Sequence, residues 1–529
     1  MLSFAWWLSL LVGFLSLSEE ILWVRVVGFG YKTLPPAFSF VLAAYLVGIA
    51  LGAALGKRLC EGSRNLYVVA AVVLGCAALL DAAIPLLVPA FIVPFEPVST
   101  RVLALLVILT AGIKSILFPI AHHLGALASG PGVGRSVSRV YFGNIIGSTL
   151  GPLLTGFVAL EYLRVDQCFA LVAAACLILA LACAAKARAR LVLAGCAVPI
   201  ALCAWTTLPL PSAAGGMLSP LADQRNGHTI SHFVSNRHGV IHTLGDGAGD
   251  IVFGGNVYDG IASVNVDINP NRLDRLYILA LVHERPRNVL VVGLSTGAWT
   301  RAIQGFPGVE RIDIVEINPA YLDLIQRYPD VAPLLDDPRV HVHVDDGRRW
   351  LKRNPETRFD LVVQNTTYHW RANATNLLSR EYFEEVQSHL SPKGILTVNT
   401  TGSFDVLETL SAVYRYTYRY GNFGYASDHP LAVEHERLAS VKRPDGTLFS
   451  LAQPTEESVA ARLAVARFEP ARLFIAGHGV HAELITDDNL LTEYGHGQRF
   501  GASALRGLLP PEPERFALDS PVVVTQSQR

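Results

Sequence analysis

Long apolar runs fill the first 210 residues of the chain, and they limit the structures it can adopt more than any other feature. A helix that crosses a bilayer needs about 20 mostly apolar residues. Seven such helices are predicted, at 2–24, 34–56, 66–90, 102–121, 137–160, 166–185 and 190–210. We therefore expect a multi-pass transmembrane helical domain at 1–210, embedded in the cell (inner) membrane.

Charge separates this half from the rest of the chain. Residues 1–210 carry 13 Lys/Arg and 7 Asp/Glu, whereas 211–529 carry 30 Lys/Arg and 37 Asp/Glu. The net charge is -1, which gives no indication of a nucleic-acid partner. All seven cysteines lie before residue 211, mostly in apolar runs, as is typical of small buried side chains.

Small and ionisable residues also recur within the predicted spans. Glycines at intervals of four favour close helix packing, and they are Gly48, Gly52, Gly56, Gly143, Gly147 and Gly151. Glu19, Glu20 and Lys114 lie where ionisable groups are costly. Two interpretations stay open: a structural pair, such as Glu20 with a cation of another helix, or a polar path or lipid-headgroup pocket.

The second half has the pattern of a soluble α/β protein. A linker and a small antiparallel β unit are predicted at 211–270, where Pro/Gly-rich sequence precedes β-type segments with glycine turns. Strands then alternate with helices, which predicts a parallel, Rossmann-type sheet at 271–510, followed by a tail at 511–529. The predicted strands are 288–293, 311–316, 340–344, 359–364 and 394–399.

Three of these strand ends carry residues that suit a nucleoside, and ligands bind at such ends in open α/β sheets. The first strand leads into a glycine turn, which lets the backbone approach a ligand closely. That turn supplies Gly293, Ser295, Thr296 and Gly297. Glu316 ends the second strand, 19 residues after Gly297, a spacing typical of an acid that bonds ribose hydroxyls.

The third strand ends in Asp346 and Gly347, where an acid can meet an adenine amine. Each acid alone fits a helix N-cap equally well, but the three strand ends in register favour a nucleoside site. The sequence has no GxxxxGK[ST] motif, and the turn lacks the third glycine of the dinucleotide pattern. This favours an S-adenosyl compound over a dinucleotide.

The fourth strand is followed by an amide where chemistry would be expected. FDLVVQ runs into Asn365 and then TTYHW, and no carboxylate occurs between Asp360 and Glu381. His369 titrates near neutrality and is a candidate base, although an exposed loop histidine explains it equally well. The spacing of His478, His481 and Glu483 does not predict a metal site.

Together these segments resemble the spermidine synthase (polyamine aminopropyltransferase) family, and in particular its membrane-fused branch. The α/β half carries VLVVGLSTGAW, IDIVEINPAYLDLI, VHVHVDDGRRWL and FDLVVQNTTYHW. SEEILWVRVVG, VLAAYLVGIALGAALGKRL and VYFGNIIGSTLGPLLTGF resemble the membrane part of that branch, and TDDNLLTEYG its C-terminal acidic motif.

The resemblance implies a methyltransferase-like sheet and transfer of an aminopropyl group from decarboxylated S-adenosylmethionine to putrescine, leaving methylthioadenosine. It implies that Glu316 holds ribose, that Asp346 lies near adenine, and that the hairpin with Tyr258 and Asp259 lines the substrate site. The expected ligand is decarboxylated S-adenosylmethionine, S-adenosylmethionine or methylthioadenosine, without a metal.

This chain departs from the family pattern at three positions around the reacting groups. Thr296 replaces the acid that holds the donor's amine, Asn365 replaces the catalytic acid, and Tyr368 replaces a second acid. An amide carries no charge and is no base. We therefore expect a nucleoside-binding transferase with an altered acceptor site.

Two rival functions stay open: a genuine polyamine aminopropyltransferase, or a non-catalytic ligand-sensing domain that regulates a membrane transporter or lipid-handling bundle. The expected partners are the lipid bilayer and a small-molecule substrate such as a polyamine, and a homodimer is an open alternative. Loop charges favour an external soluble domain, whereas the supply of S-adenosyl donors favours the cytoplasm, and we expect the cytoplasm.

Overall fold

The computed structural model describes residues 2–62, 65–127, 133–188, 215–222, 229–247, 249–365, 368–449 and 455–495. These residues form two compact units, one drawn from 1–223 and 233–240 and the other from 224–232 and 241–503. The seventh predicted span at 190–210, part of the linker and the tail at 511–529 lie outside the described residues.

Long helices make up the first unit. They are α1 (Leu2–Gly30), α2 (Pro35–Gly62), α3 (Leu66–Phe91), α4 (Pro97–Ser115), α5 (Leu117–Leu127), α6 (Val133–Leu154), the short α7 (Leu160–Tyr162) and α8 (Val165–Ala187). A π-helical turn, Thr155–Ala159, joins α6 to α7. The apolar runs therefore fold as helices wherever the structure describes them.

Five helical segments of the described residues are long and apolar enough to cross a membrane, by length and composition. They are Pro35–Gly62, Leu66–Phe91, Pro97–Leu127, Gly134–Tyr162 and Val165–Ala187. The first predicted span lies in α1, which is helical but is not among these five. A count of seven spans stays a prediction.

Glycines allow two helix pairs to come into backbone contact. A Cβ atom on Gly147 of α6 would lie 1.9 Å from the carbonyl oxygen of Leu10 in α1, and one on Gly52 of α2 would lie 2.0 Å from that of Gly112 in α4. Both distances are far below van der Waals contact. The predicted role of these glycines in close helix packing is confirmed.

Three ionisable side chains meet inside the helical unit. The Nζ atom of Lys114 lies 2.7 Å from Glu19 Oε2 and 2.7 Å from Asp81 Oδ1, and each side chain is at most 1% exposed. The three residues come from α4, α1 and α3, so the cluster ties these helices together. A structural ion pair was one of the two interpretations, but its acid is Glu19 and not Glu20.

A four-stranded antiparallel sheet has the order β1-β2-β3-β4 and lies in the segment where the small β unit was predicted. Its strands are β1 (Ile230–Asn236), β2 (Gly239–Leu244), β3 (Ile251–Gly254) and β4 (Val257–Ile261). The β3–β4 turn contains Gly255 and Asn256, both with positive φ, which is the backbone conformation that tight hairpin turns require.

A larger sheet of eight strands follows, in the order β12-β10-β11-β9-β8-β5-β6-β7. Its strands are β5 (Asn288–Val292), β6 (Arg311–Glu316), β7 (Val340–Val344), β8 (Phe359–Gln364), β9 (Leu390–Asn399), β10 (Tyr416–Tyr420), β11 (Phe423–Ser427) and β12 (Glu469–Pro470). Strands β5 to β9 pair in parallel, whereas β10, β11 and β12 join antiparallel. The predicted Rossmann-type sheet is confirmed.

Helices connect the parallel strands, and they are Ala298–Ile303, Ala320–Ile325, Gly347–Arg353 and Arg380–Ser388. Asp274–Val282 precedes β5, and Phe404–Val413, Val459–Ala464, Ala471–Gly477 and Leu491–Gly495 follow β9. Buried apolar side chains of β5, β8 and β9, such as Val292, Val362 and Leu396, pack with Phe383 of a covering helix. The strand order reverses between β5 and β8, and ligands bind at such a switch point in sheets of this type.

Candidate functional site

The turn after β5 has the backbone geometry that the glycine pattern predicted. Gly293, Ser295 and Gly297 all have positive φ, and a Cβ atom on Gly297 would lie 2.7 Å from Val331 Cγ1. The hydroxyl of Ser295 donates to the backbone oxygen of Asp259 at 2.7 Å. This bond holds the turn against the β3–β4 hairpin, so two segments far apart in sequence form one wall.

Glu316 closes this turn from the neighbouring strand. Its two carboxylate oxygens accept backbone N–H groups of Leu294 at 2.7 Å and Asn318 at 2.8 Å. Burial raises the pKa of Glu316 to about 7. Since a carboxylate oxygen has two lone pairs, each oxygen still has acceptor capacity for a ribose hydroxyl.

Asp346 begins the helix Gly347–Arg353. Its side chain accepts the backbone N–H of Arg349 at 2.8 Å, so it is the N-cap of that helix. A Cβ atom on Gly347 would lie 2.7 Å from Val292 Cγ1, which explains why glycine follows it. An N-cap aspartate retains a second oxygen, and Asn376 donates to it at 3.4 Å.

A cavity of about 240 Å³ opens beside the turn, at the carboxyl ends of β5 and β8. The predicted site residues that line it are Gly293, Ser295, Thr296, Tyr258, Asp259, Asn365 and Tyr368. Five others are not among its lining residues: Gly297, Glu316, Asp346, Gly347 and His369. The structure therefore brings the residues predicted to contact the acceptor substrate together with the glycine turn.

A chain of amides fixes the orientation of Asn365 in the cavity wall. Arg275 donates to Asn422 Oδ1 at 2.6 Å, Asn422 Nδ2 donates to Asn399 Oδ1 at 2.9 Å, and Asn399 Nδ2 donates to Asn365 Oδ1 at 2.9 Å. The backbone N–H of Thr401 also donates to Asn399 Oδ1, at 3.0 Å. A guanidinium and a backbone N–H are donors only, so they set the direction of the whole chain.

The consequence is a change of hydrogen-bonding character at the end of β8. The Asn365 oxygen already accepts one hydrogen bond within the amide chain, whereas its Nδ2 donor takes no part in that chain. A carboxylate at this position would present acceptors and a negative charge, and no donor. The sequence showed the amide, but only the network shows how its oxygen is bonded.

Asp259 is the one carboxylate among the residues that line the cavity. Its Oδ2 atom accepts the hydroxyl of Tyr321 at 2.5 Å. Burial raises the pKa of Asp259, and the Tyr321 hydrogen bond and the positive charge of Arg371 oppose this rise. Asp259 is therefore the residue best placed to meet an amine.

The candidate base His369 is not among the residues that line the cavity, and its imidazole contacts a threonine instead. Its Nδ1 atom lies 2.6 Å from Thr401 Oγ1, and its backbone oxygen accepts the Thr492 hydroxyl at 3.0 Å. The C-terminal acidic motif also holds this loop, since Glu493 accepts the backbone N–H groups of Asn373 and Thr375 at 2.8 and 3.0 Å. These contacts hold residues 369–375 against Thr401 and the C-terminal acidic motif.

Sequence reasoning missed several residues of the cavity wall, namely Arg272, Arg275, Arg371, Asn399 and Asn422. Asn399 had a usable signal, because it ends the predicted fifth strand and that strand lies beside the one that ends at Asn365. Arg275 had none, because its helix, Asp274–Val282, precedes the sheet in sequence.

The doubly wound sheet, the glycine turn at its switch point and the acids of the next two strands define the class of this domain. It has the fold of proteins that bind S-adenosyl-type ligands, as the predicted nucleoside site requires. Residues 278–418 match the family described as the Spermine/spermidine synthase domain. This match supports membership of the domain in the spermidine synthase family.

Curated relatives agree with this assignment. The chain is 30% identical over 165 residues to the spermine synthase of Arabidopsis thaliana, which covers 30% of this chain and 46% of that protein. It is 26% identical over 412 residues to the polyamine aminopropyltransferase of Mycobacterium tuberculosis, which covers 74% of this chain and 75% of that protein. The chain thus spans about half the length of the plant relative.

Among solved structures, the spermidine synthase from Thermotoga maritima matches 48% of this chain and 88% of its own chain, at 14% sequence identity and a TM-score of 0.37.

Proposed function

We propose that this protein is a membrane-bound transferase of the membrane-fused spermidine synthase branch. It binds an S-adenosyl nucleoside and acts on an acceptor other than putrescine. One observation carries the proposal: Asn365 occupies the position of the family's catalytic acid, and its oxygen already accepts a hydrogen bond from Asn399.

The chemistry of aminopropyl transfer explains why this matters. The acceptor amine attacks the carbon next to the sulfonium, the carbon–sulfur bond breaks, and the thioether nucleoside leaves while the amine loses a proton. A diamine is a cation in water, so a carboxylate both attracts it and takes its proton. Asn365 does neither, and Thr296 and Tyr368 supply no charge at the other two altered positions.

A genuine polyamine aminopropyltransferase is the second candidate. Asp259 favours it, since this carboxylate lines the cavity and can hold an amine. The Mycobacterium tuberculosis relative, named a polyamine aminopropyltransferase, also favours it, because a match to 74% of this chain extends into the N-terminal helices. Product analysis with decarboxylated S-adenosylmethionine and putrescine separates the two candidates.

Nucleoside binding is the first test of the proposal. Titration calorimetry of the full-length protein in detergent is expected to show binding of methylthioadenosine or S-adenosylmethionine, and Glu316→Ala is expected to weaken it by about 1.5–3 kcal/mol, the range for hydrogen bonds to a charged group. Burial raises the pKa of Glu316 to about 7, and the ribose needs the ionised form as acceptor. Affinity is therefore expected to increase as the pH rises through about 7.

Two results decide the outcome of this titration. Glu310→Ala is the matched control, because Glu310 is 60% exposed and pairs with Arg287 on the surface. If folded protein gives no heat with either nucleoside, the proposed function is wrong. If Glu316→Ala and Glu310→Ala bind equally well, the ribose does not contact Glu316.

The membrane location is part of the proposal. Five apolar helices of sufficient length support it, as do large apolar side chains exposed on their surfaces, such as Leu51 at 61% and Ile178 at 66%. Lipid is the solvent that makes such exposure favourable. A lipid bilayer, a small-molecule substrate and the cytoplasmic side for the α/β domain complete the proposal, and a homodimer stays an open prediction.

Reporter fusions after residue 210 are expected to place the α/β domain in the cytoplasm, where S-adenosyl donors are made. A reporter that is active only in the cytoplasm and one that is active only in the periplasm give opposite readouts. Fusions after residue 30, at the end of α1, serve as a control for the orientation of the first helix. Activity of the periplasmic reporter after residue 210 would contradict this location.

A further inference from the structure

The cavity wall carries positive charge where an amine-binding family needs negative charge. Three arginines line it, Arg272, Arg275 and Arg371, against the one carboxylate of Asp259. Arg272 is neutralised by Asp274, whose Oδ1 atom lies 3.4 Å from its Nε. The charges of Arg371 and Asp259 act on each other. Arg275 is therefore the arginine whose partners matter most for the character of the wall.

Arg275 has an unusual set of partners for a partly buried cation. Its three nitrogens donate to the backbone oxygens of Arg272 and Asn271, at 3.1 and 3.0 Å, and to Asn422 Oδ1 at 2.6 Å. The rings of Trp299 and Phe423 lie on it, at 5.7 and 4.9 Å from the guanidinium carbon.

All these partners are neutral, and none of the ion pairs among the described residues includes Arg275. Burial lowers the pKa of Arg275, and the charge of Asp274 opposes this change. An anionic ligand in the cavity would stabilise the buried guanidinium further.

Hydrogen-bond direction leads to the same conclusion. The amide chain that begins at Arg275 ends with the Asn365 side chain, whose Nδ2 donor takes no part in it. Arg371, in the loop after β8, adds a second donor-only guanidinium to the same cavity. We call Arg275, Asn365 and Arg371 the donor wall. A carboxylate matches it, because carboxylates accept several hydrogen bonds and form the strongest ones with guanidinium groups.

We propose, on the basis of the transferase function above, that the cavity binds an amino acid group, with its carboxylate at the donor wall and its amine towards Asp259. This chemistry has two sources. The nucleoside donor can keep its carboxylate, as S-adenosylmethionine does and decarboxylated S-adenosylmethionine does not. The acceptor can instead be an amino acid such as ornithine, which is putrescine with an added carboxylate.

These two pairs of compounds give a direct test, because the members of each pair differ only by the carboxylate. Titration calorimetry on the full-length protein in detergent compares S-adenosylmethionine with its decarboxylated form, and L-ornithine with putrescine, the second pair with and without methylthioadenosine. We expect the carboxylated member to bind at least about tenfold more tightly in one pair, which corresponds to about 1.4 kcal/mol. The pair that shows the preference identifies the source.

The inference and the proposed function fail in different ways. Equal affinities within both pairs, or tighter binding of the decarboxylated members, would overturn the inference even when methylthioadenosine binds. If neither methylthioadenosine nor S-adenosylmethionine binds, the proposed function is wrong. Even then, a preference for ornithine over putrescine supports the amino acid site.

Two variants locate the preference in the donor wall. Asn365→Asp keeps the size of the side chain but adds an anion, so the preference for a carboxylate is expected to fall to about twofold or less. Arg275→Gln removes the cation and is expected to have the same effect. Arg380→Gln is the matched control, since Arg380 lies outside the cavity and pairs with Glu381. An unchanged preference in folded Asn365→Asp protein would overturn the assignment.

Discussion

Replacement of Lys114 by methionine is expected to lower the free energy of unfolding of the helical unit by about 3–5 kcal/mol, the range for removing one partner of a buried ion pair. Lys114 is the cation between Glu19 and Asp81, and all three side chains are at most 1% exposed. Methionine leaves two carboxylates facing each other without a counter-ion. They must then take up protons or separate, and both changes disturb the packing of α1, α3 and α4.

Thermal or denaturant unfolding of the full-length protein in detergent measures this effect. Lys57→Met is the matched control, because Lys57 is exposed near the end of α2. The triple change Lys114→Met, Glu19→Gln and Asp81→Asn is expected to recover part of the loss, since it removes the unpaired charges together. A loss below about 1 kcal/mol in Lys114→Met would show that the cluster does not hold the helices together.

The wild-type protein and its Asn365→Asp variant are both expected to form no measurable spermidine from decarboxylated S-adenosylmethionine and putrescine. General-base help contributes about 10²–10⁴ in rate, so restoring an acid alone could matter. However, Thr296 still stands where an anion should hold the donor's amine, and Tyr368 stands where a second acid should be. Positioning of both reactants contributes at least as much to rate as the base.

The cavity adds an electrostatic reason. Arg275 and Arg371 line the same wall as Asn365, and they repel a doubly charged diamine. The Asn399 amide would donate to the new carboxylate, as it does to Asn365, and so occupy part of its acceptor capacity. One added negative charge therefore does not convert this wall into a diamine site.

Mass spectrometry of the products checks this expectation, with methylthioadenosine release as a second readout. The triple change Thr296→Asp, Asn365→Asp and Tyr368→Asp has a better prospect of activity, although repulsion among three added acids works against folding. Spermidine formed by the wild type would show that the three departures do not prevent the family's reaction. Spermidine formed by Asn365→Asp alone would show that only the base was missing.

The sequence was sufficient for the arrangement of secondary structure. The apolar runs among the described residues fold as helices, and the five predicted strands from 288 to 399 occur in parallel as expected. The glycine turn after β5 also has the predicted positive φ values, at Gly293 and Gly297. These features depend on neighbouring residues, through periodicity, strand length and the freedom of glycine, so a linear sequence contains the necessary information.

The tertiary structure decided which side chains meet. Glu19 rather than Glu20 pairs with Lys114, from 95 residues away, because the packing of α1 against α4 selects one of two adjacent acids. Arg275 reaches Asn422 across 147 residues, and that contact sets the direction of the amide chain in which the Asn365 oxygen accepts. Local sequence patterns do not specify such pairings, because they arise only when packed helices and strands bring distant side chains within hydrogen-bonding distance.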